Sequence, residues 1–236
     1  MLVEMWADVI CPICGITHHR LQRALARFEH ADEVEVVHRS FEIHPDLPEE
    51  GITQNRLALQ SGRALTEVNP MLERLEHAAE ADGFAPYRII DRTMGPTPLT
   101  HELLAFATAQ GKHHEAWDAA FRAHFSEGRQ LWTIDQLVEF AAEIGLDPDD
   151  ARRALETRRF RAQVVAEKTA AERMGAHGTP FIVIDGQYGL SGGMETAAFV
   201  DALRYAWNES HPAPQLSAIP GLSSDGAACT PDGCTV

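Results

Sequence analysis

The stretch Met5-Trp6-Ala7-Asp8-Val9-Ile10-Cys11-Pro12-Ile13-Cys14 decides the fold of this chain. It starts as an apolar, strand-like run and ends in two cysteines separated by two residues, with Pro12 where a helix would open. Proline suits the first helical position because its missing N–H would have no partner there. Cys11 then stands at a helix N-terminus, where unpaired backbone N–H groups and the helix dipole favour thiolate over thiol. Helical spacing puts Cys11 and Cys14 on one face, close enough to form a small disulfide ring with little backbone movement. Thiol–disulfide exchange needs this arrangement. Cys11, at the exposed end, would attack a substrate disulfide, and Cys14, more buried and less acidic, would resolve the mixed disulfide or run the cycle in reverse. Ile13 carries no charge, so the expected Cys11 pKa is only moderately depressed and the couple moderately oxidising.

The same spacing serves structural zinc sites, and a second pair, Cys229 and Cys234, makes four thiolates formally available. The segment Gly178-Thr179-Pro180-Phe181 weighs against zinc. It leads into the apolar run Ile182-Val183-Ile184, and a proline opening a buried strand invites a cis X–Pro bond that holds the Thr179 backbone in an exposed turn.

With these two blocks the chain resembles the DsbA family of the thioredoxin-like superfamily, and most closely its FrnE-type branch. Further matching residues are Phe41-Glu42-Ile43-His44-Pro45-Asp46, Gly175-Ala176-His177 ahead of Gly178, and Asp185-Gly186-Gln187-Tyr188-Gly189-Leu190-Ser191-Gly192. The resemblance spans about residues 1–208. It implies an α/β protein, a thioredoxin-like fold with a large all-helical insertion, acting as a protein disulfide oxidoreductase or isomerase without a cofactor. It implies Cys11 as nucleophile, Cys14 as resolving thiol and Pro180 as the cis-proline facing them. Thr179 would offer backbone hydrogen bonds to an extended substrate segment. FrnE-like chains usually carry Trp at the position of Ile13 and Tyr at that of Gly15, so this chain is expected to lack aromatic surface beside Cys11. The runner-up class is a small-molecule enzyme of the kappa glutathione transferase or hydroxychromene-carboxylate isomerase type. Those relatives usually have serine at the position of Cys11, so two retained cysteines weigh against it. A noncatalytic zinc-binding or interaction protein is the third class.

At 236 residues and 44% hydrophobic, the chain can bury one large core or two smaller ones without disulfide staples. A net charge of −15 argues against a nucleic-acid or anionic-membrane partner. Glu4 and Asp8 interrupt the opening apolar run, so no signal peptide is read, and no window approaches a transmembrane helix. These features predict a cytoplasmic protein whose dithiol sits mainly reduced, favouring reduction or isomerisation of protein disulfides. Its partners would be protein thiols and disulfides and a cellular thiol reductant such as thioredoxin or a low-molecular-weight thiol.

Hydropathy patterning divides the chain into a first thioredoxin-like part (1–45), a helical insertion (46–167), a second thioredoxin-like part (168–210) and a flexible tail (211–236). Strands are expected near 2–9 and 34–43 around a helix near 12–28, making a parallel βαβ unit. In the insertion, Trp117, Phe121 and Phe125 follow helical spacing up to Gly128, and Leu137, Phe140 and Ile144 run from a Thr133 cap to Gly145. The second part reads as strand 181–184, a turn at Asp185-Gly186, a return through Tyr188 and Leu190, and a helix from about Thr196 to Trp207.

Twelve histidines invite a metal reading, but the adjacent pairs His18-His19 and His113-His114 diverge on a helix, and most of the twelve are expected on the solvated surface. No metal site is expected. His177, two residues before Thr179, is the candidate for tuning Cys11. In the tail, Pro231-Asp232-Gly233 is a turn that would bring Cys229 and Cys234 together. A disulfide closing so short a loop stabilises by only roughly 2 kcal/mol, so a stabilising role explains the pair poorly. The tail is long enough to reach Cys11, and FrnE-like proteins with a comparable pair imply an accessory dithiol that exchanges with the first.

Overall fold

The structure, a computed structural model, describes residues 1–212 and the short segments 228–230 and 233–235. Strand β1 (Leu2–Ala7), helix α1 (Pro12–Leu25) and strand β2 (Glu35–Ser40) form the opening βαβ unit, with β1 and β2 parallel and in register from Leu2↔Glu35 to Ala7↔Ser40. The strands are shorter than the hydropathy suggests. Asp8 ends β1 because its Oδ1 accepts from the Ile10 N–H (3.3 Å), turning the chain at Val9-Ile10. Its Oδ2 accepts from the Ile43 N–H (2.7 Å), which draws Phe41–Ile43 away from the sheet.

The insertion follows as β3 (Ile52–Thr53), α2 (Gln54–Gln60), α3 (Leu65–Ala81), β4 (Thr93–Met94), α4 (Pro98–Ala109), α5 (His113–Phe125), α6 (Ile134–Glu143) and α7 (Pro148–Glu156). It is helical apart from the two-residue antiparallel pair β3–β4, which packs Ile52 and Met94 against Ile10 beside the dithiol. Thr133 caps α6 in a reciprocal box with Gln136, and Gly128 and Gly145 end their helices at positive φ, as the sequence pattern anticipates. Helix α8 (Arg161–Arg173) then leads to β5 (Phe181–Ile184), β6 (Tyr188–Ser191) and α9 (Thr196–Ser210). The expected boundary at 167/168 falls inside α8. This helix packs on the sheet: Glu167 accepts from the Ser40 N–H (2.7 Å) and its carbonyl accepts from the Trp6 indole (2.8 Å).

Strand order is β2-β1-β5-β6, with β5 antiparallel to both of its neighbours. The two-residue side-chain period divides β1 and β5 between two layers. Val3, Met5, Ala7, Ile182 and Ile184 enter the main core with α1, α9 and the insertion, while Trp6, Phe181 and Val183 join Phe41 and Ala171 beneath α8. β2 is an edge strand, and two of its outward N–H groups are covered: that of Ser40 by Glu167 and that of His38 by His113 Nε2 (2.9 Å).

Eight of the twelve histidines are partly or fully exposed, and four depart from the surface expectation. His18, His38, His101 and His124 are all buried. His18 on α1 bonds His38 on β2 (3.0 Å) and Asp118 on α5 (3.4 Å), so this network ties the dithiol helix to the insertion. Burial, followed for His38 by its histidine neighbours, holds His18 below and His38 well below the ordinary imidazole value, and His113 falls to about 4 for the same reasons. The folded state therefore keeps these rings neutral, while the unfolded chain protonates them near 6.5. Stability is full above that value and is lost as pH falls through it, because the unfolded state then binds more protons. The melting temperature is expected to drop by on the order of 5 °C between pH 7.5 and 5.5; a flat profile would contradict the buried-neutral assignment.

Candidate active site

Strand β1 delivers the chain to the site, and α1 fixes the sulfurs. Cys11 is the N-cap residue, with extended backbone (φ −74°, ψ 115°), and its sulfur accepts from the Cys14 N–H at 3.4 Å while Pro12 occupies the first turn. Both cysteines are free thiols; Cys11 is 5% exposed and Cys14 wholly buried, so only Cys11 offers a sulfur to an incoming partner. Across from them the Thr179–Pro180 peptide is cis, and the Thr179 carbonyl lies 3.7 Å from the Cys11 sulfur. Ile13 is exposed at the rim, and a Cβ on Gly193 would come within 2.7 Å of its Cγ2, so the glycine lets the β6–α9 loop approach the dithiol.

The two thiols are electrostatically unlike. The Cys14 side chain donating to Cys11, helped by Thr179 and the Cys14 N–H, holds the Cys11 thiol below its ordinary value despite burial and the nearby Asp8. Burial first, then the neighbouring Cys11 sulfur, pushes Cys14 well above it. A nucleophile ionised ahead of its resolving partner is what directional exchange requires.

Other expected site residues fall elsewhere. His177 is exposed, lining a groove of about 600 Å³ with Phe41, Glu42, Ile43, Lys168 and Glu172, and the groups that act most on Cys11 do not include it. Cys229 and Cys234 stand opposite each other in the antiparallel pair β7 (Ala228–Thr230) and β8 (Gly233–Thr235). Their side chains, residues 231–232 and the linking segment 213–227 lie outside the described residues, and so do the expected turn and the expected reach to Cys11. Among the described residues no group of three or more histidine, cysteine or acidic side chains could hold a metal, and no helix is long and apolar enough to cross a membrane.

At Gly15 the insertion supplies two fully buried rings, which add no aromatic surface beside Cys11. Tyr87 Oη and the Phe125 ring occupy the space a side chain there would take, at 2.5 and 3.0 Å from an ideal Cβ, and Tyr87 donates to the Pro12 carbonyl. Sequence reasoning also missed Asp8 and His101. Asp8 is fully buried and binds Ile10 N–H, Ile43 N–H, the Thr97 hydroxyl (3.3 Å) and His101 Nε2 (3.3 Å), joining strand end, β2 exit and insertion just before Cys11. Its signal was an acid inside an apolar run, which the strand pattern alone left unexplained.

The chain matches the DSBA-like thioredoxin domain family over residues 2–204. It is 36% identical to a probable DsbA oxidoreductase from Streptomyces coelicolor, whose crystal structure superposes with a TM-score of 0.82 over 100% of this chain and 99% of that one. It is 27% identical to the uncharacterized protein YwbO of Bacillus subtilis strain 168, over 77% of this chain and 86% of that one. A 2-hydroxychromene-2-carboxylate isomerase shares the fold at 11% identity, with a TM-score of 0.69 over 89% of this chain and 98% of that one. With a strand-end dithiol on a capped helix and a family match across nearly its whole length, the chain belongs to the DSBA-like thioredoxin domain family.

Proposed function

We propose that this protein is a thiol–disulfide oxidoreductase or isomerase acting on protein disulfides through Cys11 and Cys14. The observation that carries the reading is the asymmetry of the pair: an N-cap sulfur held toward thiolate, and a wholly buried partner held toward thiol. The Cys11 thiolate attacks one sulfur of a substrate disulfide, forming a mixed disulfide and expelling the other sulfur as a thiolate that takes up a proton. Cys14 then loses its proton and attacks the Cys11 sulfur. This step closes the Cys11–Cys14 disulfide and releases the second substrate thiol, so two electrons have passed to the substrate. Ionisation of Cys11 also frees the Thr179 carbonyl, 3.7 Å away, to accept from an extended substrate backbone. In a reducing thiol pool the disulfide is returned to dithiol by thioredoxin or a low-molecular-weight thiol, and the cycle runs as reduction or isomerisation.

The test is turnover of the intact, reduced protein on insulin and on scrambled ribonuclease, with 2-hydroxychromene-2-carboxylate plus glutathione as the competing assay. Turnover on either protein substrate is expected. Activity confined to the small molecule would replace the proposal with the isomerase class.

A further inference from the structure

Arg92 carries a full charge in the protein interior without a contact ion pair. It is 3% exposed, and among the described residues no carboxylate lies within ion-pair distance of it. Its Nε donates to the Ile89 carbonyl (3.3 Å), one terminal nitrogen to His124 Nε2 and the other to Gln54 Oε1 (3.5 Å), all neutral acceptors. Burying an unpaired guanidinium costs several kcal/mol, a cost that folds retain where a nearby charge uses the field. The guanidinium lies 4.6 Å from the centre of the Phe125 ring. That ring stacks on Tyr87 (4.6 Å between centres) and meets α1 at Gly15, and Tyr87 reaches the Pro12 carbonyl inside the dithiol turn. Two stacked, fully buried aromatic rings thus separate the cation from the first turn of α1.

We propose that Arg92 is a positioning residue for the reaction, the buried counter-charge of the Cys11 thiolate, supplied by the insertion and acting through the Phe125–Tyr87 stack. When Cys11 ionises it adds an anion to those already acting on Arg92, the Asp8 and Glu76 carboxylates, neither of which reaches ion-pair distance. In a dry interior the field acts across both rings, whereas a solvated lysine at that range would be screened. Of the other titratable groups around Arg92, the Asp8 and Glu76 carboxylates act on it from beyond ion-pair distance and are held by other donors. Tyr87 stays protonated because burial raises it, His124 is neutral because burial and Arg92 lower it, Glu76 is engaged by the Ile89 and Ile90 N–H groups, and Asp8 by its four partners. The guanidinium itself is lowered to about 10 by burial, so it remains charged at neutral pH.

The inference rests on Cys11 being the reactive thiolate, but its test needs no substrate, so the two can fail separately. Thiolate absorbance is followed against pH in the intact reduced protein, with Cys14→Ser as background so that Cys11 alone titrates. Arg92→Met is expected to raise the Cys11 pKa by about 0.5–1 unit and to make the Cys11–Cys14 couple of the otherwise wild-type protein more reducing. Arg92→Lys is expected to keep both near the parent values. Should Arg92→Met not fold, Arg92→Gln removes the charge while leaving a donor for His124. A cooperatively folded neutral variant with an unshifted Cys11 pKa overturns the proposal, as does a lysine variant that shifts as far as the neutral ones.

Discussion

Cys11→Ser is expected to abolish thiol–disulfide turnover, lowering it by at least about a thousandfold, because a serine hydroxyl has neither the acidity nor the nucleophilicity of a capped thiolate. Cys14→Ser is expected to behave differently. It keeps the attacking sulfur but lacks the resolving one, so mixed disulfides between Cys11 and substrate accumulate and are seen on non-reducing gels and by mass. The first-step rate should rise with pH through the lowered Cys11 value and then level off, since only the thiolate attacks. Cys14→Ala, unlike the serine variant, removes the side chain that donates to Cys11, so the midpoint in that variant should move upward. Activity above a tenth of the parent in Cys11→Ser would move the nucleophile elsewhere and end the assignment.

The dithiol was legible because its chemistry is local. A strand, a helix-opening proline and two cysteines at helical spacing fix the cap geometry within a few residues, and the Gly178-Thr179-Pro180 block announces its turn in the same way. What the pattern could not show is what the insertion brings to the dithiol. Tyr87 and Arg92 sit in the irregular segment between α3 and β4, where no periodicity assigns a face, and their partners lie far along the chain in α5. The buried histidines were misjudged for a related reason. Composition places a lone histidine on the surface, but His18 and His38 satisfy each other across two elements, and no sequence window holds both. Asp8 lay in plain view and was read only as a charge interrupting an apolar stretch. Its four partners come from the turn after β1, the exit of β2 and the insertion, so its role is tertiary.

Gly15→Ala decides whether the Tyr87–Phe125 stack is as tightly seated as it looks. On helix propensity alone, alanine in the interior of α1 should stabilise by about 1 kcal/mol. Packing says the opposite. The new Cβ would meet Tyr87 Oη at 2.5 Å and the Phe125 ring at 3.0 Å, both on fully buried side chains whose rings stack on each other. Overpacking of this kind costs about 1–3 kcal/mol, so the net is a loss once the propensity gain is subtracted from the upper part of that range. We expect a fall in melting temperature of on the order of 5 °C together with a raised redox turnover barrier, because displacing Tyr87 disturbs its bond to Pro12 between the two cysteines. Tyr87→Phe alone should cost about 1 kcal/mol for the lost hydrogen bond. In the double variant the hydroxyl that the methyl strikes is gone, so the combined loss should fall short of the sum by about 1 kcal/mol. Strict additivity, or a stabilised Gly15→Ala, would mean that the insertion yields to α1, and its aromatic stack could not then hold Arg92 in place against the dithiol turn.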